Sequence, residues 1–227
     1  MADSFDLNKF GGADPFVWTH EYLTKVLCYE PNSPVKEPRI KEAFRGVRRE
    51  DFVKDEDKRS AYADTPHQIG FGQTTSQPTV IAQMLQLINP TTGGKYLEIG
   101  TGSGYVTALL GKIVGKSGKV IGLERIQLLA EQARENLAHY PEIENVAIFF
   151  KDGSKGFVEE APYDGIYVGA AYGQVPEALM DQLKVGGKLV VPTKENDIRL
   201  ITRVSADKRE EKIYPGYVFV PIVEGVE

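Results

Sequence analysis

The residues best suited to chemistry form the segment 98–104, which reads EIGTGSG. This segment stands between a strand-like run, KYLEIG, and a helix-like run over residues 105–114. Glycines at such a junction allow a tight turn and let a ligand approach the backbone closely. The first turn of the following helix then presents free N–H groups and the positive end of its dipole. The segment therefore predicts a ligand-binding loop at the carboxyl end of a strand.

The spacing within this loop indicates which kind of ligand it binds. A dinucleotide-binding loop reads G-x-G-x-x-G, whereas this loop reads G-x-G-x-G and has Glu98 two residues before its first glycine. An acid at that position would repel a pyrophosphate, but it suits a ligand that carries an ammonium group and a sulfonium. S-adenosylmethionine carries both, together with a carboxylate for the N-terminus of the helix.

Two further acids follow neighbouring strand-like runs. Glu124 ends the run KVIGLE, at the position where doubly wound folds place an acid for ribose hydroxyls. Asp152 and Gly153 follow the next run, where a carboxylate can accept from an adenine amino group. Taken singly, these features also fit a tight turn, an exposed acid at a helix start, or a plain turn. Together they favour a nucleoside-type cofactor, with the methyl donor ahead of a nicotinamide cofactor.

The elements that must position these residues alternate along the chain. Strand-like runs (KYLEIG, KVIGLE, NVAIFF, YDGIYVGA and KLVVP) are separated by helix-like runs over residues 105–114, 126–139 and 177–183. This alternation predicts an α/β fold, a doubly wound and mostly parallel sheet covered on both faces. The runs IRLITRV and YVFVPIV have no helix between them, so we expect an antiparallel pair at the C-terminal edge.

A helical extension is expected ahead of this sheet. Residues 1–16 are predicted to form a loose arm and residues 16–27 a helix, and a second helix begins at Arg39. We expect residues 1–76, with their arm, helices and loop, to pack on the same structural domain as residues 77–227. The second helix is predicted to bury one apolar face and to leave a basic face solvated. The apolar face holds Ile40, Ala43, Phe44 and Val47, and the basic face holds Lys41, Arg45, Arg48 and Arg49.

The composition excludes several classes of protein. Among 227 residues, Lys and Arg number 27 against 32 for Asp and Glu, a net charge of −5 that argues against nucleic-acid binding. Cys28 is the only cysteine, which excludes an intrachain disulfide and a cysteine-rich zinc site, and we expect no metal. Neither a signal peptide nor a membrane-spanning run is evident. We therefore expect a cytoplasmic protein that binds neither nucleic acid nor membrane. We also expect it to be a monomer.

A second motif lies upstream of the glycine loop. Residues 69–78 read IGFGQTTSQP, and a helix-like run separates them from LEIGTGSGY. Together with PRIKEAFRGVRREDFV, AYADTPHQIG, LERIQLLAEQARENL, KDGSKGF, APYDGIYVGAA, VPEALMDQLKVGGKLVVP and FVPIV, this motif resembles the protein-L-isoaspartate (D-aspartate) O-methyltransferases. The glycine motif is common to many methyltransferases, whereas GQTTSQP is far more particular to this family. The resemblance covers residues 38–223.

The resemblance implies a Rossmann-like methyltransferase fold and methyl transfer from S-adenosylmethionine to the free α-carboxyl of isoaspartyl residues. The ester then cyclises to a succinimide, whose hydrolysis returns some normal aspartate, so the expected partners are damaged proteins and peptides. By motif position Ser76 is the implied active-site serine, and Gln73, Thr74 and Thr75 lie on the substrate side. The expected cofactor contacts are Glu98, Gly100, Thr101, Gly102, Ser103, Gly104, Glu124, Arg125, Asp152 and Gly153.

The reaction itself demands little of the side chains. A carboxylate with a pKa near 3.5 is already ionised at neutral pH, so its methylation needs alignment and not a general base. The three histidines, His20, His67 and His139, accordingly lie outside the glycine loop and away from Ser76. Ser76 would donate to the substrate carboxylate or orient it. Its place just before a helix with Pro78 in the first turn equally suits an N-cap.

Two alternatives and two departures stay open. A nucleic-acid methyltransferase on the same fold would need an Asn/Asp-Pro-Pro-aromatic motif or a catalytic cysteine, and GAAYGQVP stands where the motif would be. A catalytically silent cofactor-binding adaptor is the other alternative. The departures are Tyr172-Gly173, where the family shows Ala-Pro, and the segment 193–197 in place of a Gly-containing turn. We expect both at the substrate rim.

Overall fold

A computed structural model of the protein describes residues 18–227, so the predicted N-terminal arm lies outside the described residues. Short 3-10 turns lie at Arg49–Phe52, Asp55–Ser60 and Val158–Glu160. The helices are α1 (His20–Cys28), α2 (Pro38–Gly46), α3 (Pro78–Ile88), α4 (Tyr105–Val114), α5 (Gln127–Leu137) and α6 (Glu177–Asp181). The strands are β1 (His67–Gly70), β2 (Gln73–Thr75), β3 (Lys95–Ile99), β4 (Lys119–Glu124), β5 (Val146–Phe150), β6 (Tyr163–Val168), β7 (Leu183–Thr193), β8 (Asp197–Arg203) and β9 (Arg209–Pro215).

Seven strands form the central sheet in the order β5-β4-β3-β6-β7-β8-β9. The first five of these are parallel, and β8 and β9 run antiparallel to their neighbours. β3, β4 and β6 are buried along almost their whole length, which explains their continuous apolar runs. The predicted α/β sheet is confirmed. Because parallel strands point the same way, β3, β4, β5 and β6 bring their carboxyl ends to one edge.

Helices cover this sheet, and the small β1–β2 hairpin lies beside the loop that follows β3, with Ile69 close to Gly102. α4 is buried at every position except Lys112, because it packs on the sheet and is itself covered by α2. One cluster of buried side chains runs from Leu23 in α1 through α2, α3 and α4 to Ile198 in β8. The N-terminal helices therefore share a hydrophobic core with the sheet. Across residues 18–227 there is no helix long and apolar enough to cross a membrane.

The antiparallel edge differs from the predicted one. β8 matches IRLITRV, but its partner is β9, which reads REEKIYP, and not YVFVPIV. β9 is almost entirely exposed, so it lacks the apolar signal that marks a buried strand. The segment YVFVPIV instead leaves the sheet and crosses the carboxyl ends of its strands, bonded through Val220 and Ile222 to Ala171.

The basic face predicted beyond Arg39 is also only partly present. Its apolar partners Ile40, Ala43, Phe44 and Val47 are buried as predicted. Arg49, however, is only 1% exposed and is not on a solvated face. α2 ends at Gly46, and the chain is extended at Val47 and Arg48 before the 3-10 turn begins at Arg49. Helical spacing therefore no longer decides the direction in which Arg49 points.

Candidate active site

The glycine loop follows β3 and leads directly into α4. Gly100, Gly102 and Gly104 have φ values of 81°, 56° and 91°, in the left-handed region that favours glycine. A Cβ on Gly102 would lie 2.9 Å from Ile69 Cδ1 in the β1–β2 hairpin. A Cβ on Gly104 would lie 3.2 Å from Ala133 Cβ of α5, so Gly104 serves the packing of α4 against α5.

Glu98 places a buried carboxyl group beside this loop. It is 1% exposed, and the Thr107 hydroxyl donates a hydrogen bond to Glu98 Oε2. Burial raises the pKa of Glu98 to about 8, the Thr107 hydroxyl opposes that rise, and the nearby carboxylate of Glu124 adds to it. No ion pair among residues 18–227 includes Glu98. The acid is therefore ready to accept a cationic group, which would favour its charged form.

A cavity of about 40 Å³ joins the glycine loop to the substrate-side motif. The Thr101 hydroxyl on its wall is buried and has no hydrogen-bond partner among the described residues. Ser76 stands on the same wall as the glycine loop, although 22 positions separate it from Glu98 in sequence. The predicted site residues that line the cavity are Thr74, Thr75, Ser76, Glu98, Gly100, Thr101, Gly102 and Ser103.

A second cavity of about 50 Å³ lies at the ends of β4 and β5. Glu124 accepts the Gly102 N–H at 2.8 Å and the Ile126 N–H at 3.0 Å, and so holds the glycine loop against the end of β4. Gln73, predicted on the substrate side, lines this cavity and not the groove described below. The predicted residues on its wall are Gln73, Gly100, Glu124, Arg125, Asp152 and Gly153.

Asp152 accepts two backbone N–H groups in this second cavity. They come from Ser154 at 2.8 Å and from Gly225 at 2.7 Å. Partial burial acts to raise the pKa of Asp152, but these N–H groups outweigh it and the pKa lies below its ordinary value. Asp152 is therefore a carboxylate at neutral pH and can accept a further donor.

Residues 216–227, here called the C-terminal segment, cross the ends of the strands, and Pro221, Ile222 and Val223 line the second cavity. Arg125 contacts this segment: its Nε donates to Gly225 O at 3.0 Å and its Nη1 to Glu227 Oε2 at 3.2 Å. The guanidinium of this predicted cofactor residue is thus engaged in holding the segment. Further along, Tyr217 Oη donates to Gln83 Oε1 of α3 at 2.6 Å.

A groove of about 770 Å³ opens on the other side of Ser76. One wall is the start of α3, with Gln77, Thr79, Val80 and Gln83, and the other wall is formed by residues 215–220. The groove is open and mixed in polarity, and its volume is within the range of ordinary ligand sites. Ser76 and Thr74 line both this groove and the first cavity.

The start of α3 does not use Ser76 as a cap. Its N-cap residue is Gln77, and Pro78 follows in the first turn. Asp64 Oδ1 accepts the Thr79 N–H at 2.8 Å, and Asp64 Oδ2 accepts from the Thr79 hydroxyl and from Gln77 Nε2. The side chain of a distant residue thus satisfies the free end of the helix. The N-cap alternative for Ser76 is wrong, and its hydroxyl makes no hydrogen bond within residues 18–227.

The two departures from the expected pattern lie in different places. Tyr172 is 3% exposed, its hydroxyl donates to Ser154 O at 2.7 Å, and it does not line the groove. The expectation of a rim position is wrong for Tyr172, because the aromatic ring fills the core below the strands. Asn196, in the other departure, accepts the N–H groups of Gly216 and Tyr217 and so holds one wall of the groove.

Known proteins are similar to this chain in both sequence and fold. The sequence model of the protein-L-isoaspartate (D-aspartate) O-methyltransferase family matches residues 22–227. The chain belongs to this family. Relatives bearing the name protein-L-isoaspartate O-methyltransferase include one from Methanothermobacter thermautotrophicus, 39% identical over 83% of this chain and 88% of the relative. Another, from Archaeoglobus fulgidus, is 43% identical over 89% of this chain and 91% of the relative.

A solved structure agrees with this assignment. A Plasmodium falciparum structure described as a protein-L-isoaspartate O-methyltransferase in complex with S-adenosyl-L-homocysteine superposes with a TM-score of 0.79 at 29% identity. The match covers 90% of this chain and 98% of that one. The predicted Rossmann-like fold, the carboxyl methyltransferase activity and the S-adenosylmethionine cofactor are confirmed. The nucleic-acid methyltransferase alternative is not favoured.

The site of this methyltransferase fits the methyl donor. Glu98 is a buried acid without a cationic partner, which suits the ammonium group. Thr101 has an orphaned hydroxyl, and the positive-φ glycines leave the backbone accessible at the start of α4. Glu124 and Asp152 stand at the ends of neighbouring strands, where an adenosine group would extend. Metal is not needed for this fit, and residues 18–227 contain no cluster able to hold one.

Sequence reasoning missed three residues of this site. Asp64 caps α3, Arg49 contacts the backbone of Ser76, and Tyr217 ties the C-terminal segment to α3. Asp64 and Arg49 carry one signal that could have been used, since both are charged residues within the segments AYADTPHQIG and PRIKEAFRGVRREDFV that carry the family resemblance. Tyr217 carries none, because it is remote in sequence and begins a continuous apolar run, YVFVPIV, that resembles a strand.

Proposed function

We propose that Ser76 holds the α-carboxylate of an isoaspartyl residue against the methyl donor, and that the damaged peptide lies in the groove between α3 and residues 215–220. The observation that carries this proposal is that Ser76 lines both the first cavity, of about 40 Å³ and here called the donor cavity, and the groove. A nucleophile held there would face the donor while the rest of the peptide stays in the open groove.

The chemistry assigned to each residue is modest. When bound, the donor supplies an electrophilic methyl group on a sulfonium. Glu98 would hold its ammonium group, the loop 100–104 its amino-acid end, Glu124 its ribose and Asp152 its adenine. Ser76 would donate its hydroxyl proton as a hydrogen bond to the substrate carboxylate, so that one carboxylate oxygen is aligned with the methyl carbon. Holding two reactants in line can lower the barrier by up to about 7–11 kcal/mol.

A general base has no part in this proposal. The α-carboxylate is ionised at neutral pH, so no proton needs to be removed before the methyl transfer. His67, the histidine nearest the motif in sequence, is buried and its Nε2 lies 2.9 Å from Ser60 O. Burial and the positive charge of Arg49 lower the pKa of His67. It therefore remains a neutral structural residue at neutral pH, and alignment carries the catalysis.

The test compares paired peptides. An isoaspartyl peptide and its normal aspartyl twin are incubated with methyl-labelled donor, and base-labile methyl ester is measured as released methanol. The expected result is label in the isoaspartyl peptide only. Equal labelling of both peptides would reject the substrate assignment, and no labelling of either would favour the catalytically silent adaptor.

The role of Ser76 has its own test. Ser76→Ala is expected to raise KM for the isoaspartyl peptide by roughly 10- to 100-fold, the value of a hydrogen bond to a charged group. Binding of S-adenosylhomocysteine, measured by calorimetry, should be unchanged. Ser117→Ala is the matched control, because Ser117 is exposed and lies after α4, away from the groove. An unchanged KM would remove Ser76 from the acceptor site.

The remaining features of the proposal concern the whole protein. We expect a monomer in the cytoplasm that acts on isoaspartyl proteins, with residues 1–76 packed on residues 77–227 in one structural domain. The buried free thiol of Cys28 is compatible with a reducing compartment. Size-exclusion chromatography with light scattering tests the monomer, and cell fractionation tests the location.

A further inference from the structure

Arg49 places a guanidinium against the segment 74–76, which together with the groove is here called the acceptor side of the site. It is 1% exposed, and its Nη2 donates to the main-chain carbonyl of Ser76 at 2.9 Å. Longer contacts of 3.4 Å reach the Thr75 hydroxyl and the carbonyl of Thr65. Nε is buried and has no hydrogen-bond partner among the described residues. The guanidinium therefore binds the backbone at Ser76, and one of its N–H groups, at Nε, is left without a hydrogen-bond acceptor among the described residues.

The charge of Arg49 also lacks a partner. Within residues 18–227 no carboxylate lies at ion-pair distance from it, and Asp64, the nearby acid, is engaged by the first turn of α3. Buried charges in proteins are normally paired, because an unpaired charge costs several kcal/mol in desolvation. Burial lowers the pKa of Arg49 to about 10, so the group is still a cation at neutral pH. The protein maintains a positive charge here without an anion of its own.

The surroundings direct this charge toward the cavity. Thr75, Ser76 and Tyr105, the three residues that Arg49 touches on this side, all line the donor cavity. The Tyr105 ring centroid lies 5.4 Å from Arg49 Cζ. Arg49 thus contacts three residues of the cavity wall beside which the proposed substrate carboxylate would lie. In a low-dielectric interior, a charge acts over such a distance far more strongly than it does in water.

We propose that Arg49 is a positioning residue whose fixed positive charge selects a carboxylate, over a neutral group, on the acceptor side of Ser76. The proposal rests on the proposed function, because the carboxylate it selects is the α-carboxylate of the isoaspartyl substrate. Arg49 acts through the Thr75-Ser76 backbone and through its charge, and it takes no part in bond making.

The experiment measures selectivity for charge rather than activity. With S-adenosylhomocysteine at saturation, calorimetry gives the affinities of two peptides that differ only at the isoaspartyl α-carbon substituent, one a carboxylate and one a carboxamide. The wild type is expected to prefer the carboxylate. Arg49→Met is expected to reduce that preference by about 10- to 100-fold while the affinity for the carboxamide peptide changes little. Arg49→Lys should recover part of the preference, because it restores the charge without the planar fork.

A purely structural role makes a different prediction. If Arg49 only braces the junction between β2 and α3, Arg49→Met weakens both peptides equally and their ratio is unchanged, which would overturn the proposal. Should Arg49→Met fail to fold, Arg49→Lys and Arg49→Gln are compared, and an equal ratio in these two variants would likewise overturn it. Arg59→Met is the matched control at an exposed arginine and should leave both affinities unchanged.

The result also separates the two proposals from each other. If the wild type methylates the isoaspartyl peptide but the carboxylate preference is insensitive to Arg49, the proposed function stands and the role of Arg49 falls. If the wild type methylates neither the isoaspartyl peptide nor its aspartyl twin, the proposed function and the role of Arg49 fall together.

Discussion

The donor side and the acceptor side of the site each hold a buried ionisable group without a partner of opposite charge, an acid on the donor side and a cation on the acceptor side. On the donor side Glu98 is a buried acid, and within residues 18–227 no cation pairs with it. On the acceptor side Arg49 is a buried cation, and no acid within that range pairs with it. The donor carries an ammonium group and the proposed acceptor a carboxylate, so each half lacks the charge that its own substrate would supply. The charged groups of the two substrates would therefore supply the partners that Glu98 and Arg49 lack within the protein.

The two halves also differ in how the chain builds them. The donor side is assembled from strand ends that a parallel sheet collects at one edge, and each residue follows its own strand directly. The acceptor side is assembled from segments far apart in sequence, around Arg49, Asp64, Ser76 and Tyr217. Local motifs therefore reveal the first half, and tertiary contacts are needed for the second.

The largest expected effect concerns the donor side alone. Glu98→Gln removes the acid that would become a carboxylate beside the ammonium group of the donor, and it is expected to weaken the binding of S-adenosylhomocysteine by about 100-fold, the typical loss when one partner of a buried charge pair is removed. KM for the isoaspartyl peptide should change little at saturating donor. Glu135→Gln on the exposed face of α5 is the matched control. If Glu98→Gln weakened the binding of the isoaspartyl peptide as much as that of S-adenosylhomocysteine, the two halves of the site would not be independent.

The second prediction uses pH. The pKa of Glu98 is about 8 in the folded protein and near 4.5 in the unfolded chain. Between these values the folded state keeps a proton that the unfolded state has released. The stability of the unliganded protein should therefore fall as the pH rises from 5 to 8, by at most about 1.4 kcal/mol per pH unit. The stability of the wild type and of Glu98→Gln is measured by thermal unfolding at each pH, and the difference between the two isolates this contribution. Two curves of stability against pH that run parallel would contradict it.

A smaller effect is expected on the acceptor side. Asp64→Ala leaves the Thr79 N–H at the start of α3 without its acceptor, and it should cost about 1 kcal/mol, the usual value of a lost cap. The free energy of unfolding in urea measures this loss. Binding of S-adenosylhomocysteine should be unchanged, and Asp207→Ala in the exposed turn before β9 serves as the control. A weaker donor affinity would show that the two halves are not independent.

The smallest effect concerns the wall of the groove. Tyr217→Phe removes the hydrogen bond to Gln83 and should cost about 0.5–1.5 kcal/mol. Because this bond ties residues 215–220 to α3, we expect KM for the isoaspartyl peptide to rise a few-fold with kcat nearly unchanged. Tyr214→Phe, on the exposed strand β9, provides the comparison. A change in kcat without a change in KM would contradict the assignment of this wall.

Particular residues show why the sequence revealed one part of the molecule and not another. The helix 105–114 and the strand before Glu124 were predictable, because burial on both faces imposes continuous apolar runs between glycine turns. The edge strand before Asp152 was predictable from its own apolar run, VAIFF, although only Ile148 in it is buried. Arg49 was misplaced because helical periodicity was extended past Gly46, where the helix ends. β9 was missed because a solvated edge strand needs no apolar pattern, and Ser76 was given a cap role that Asp64 fills.

The exposed strand β9 has one further consequence. Its sequence, REEKIYP, sets acidic and basic side chains along the open margin of the sheet and ends in a proline. A margin of this kind discourages a strand of another polypeptide from extending the sheet, because like charges would be brought together and a backbone donor is missing. The charged composition that made this strand hard to predict from the sequence thus also disfavours edge-to-edge association with other chains.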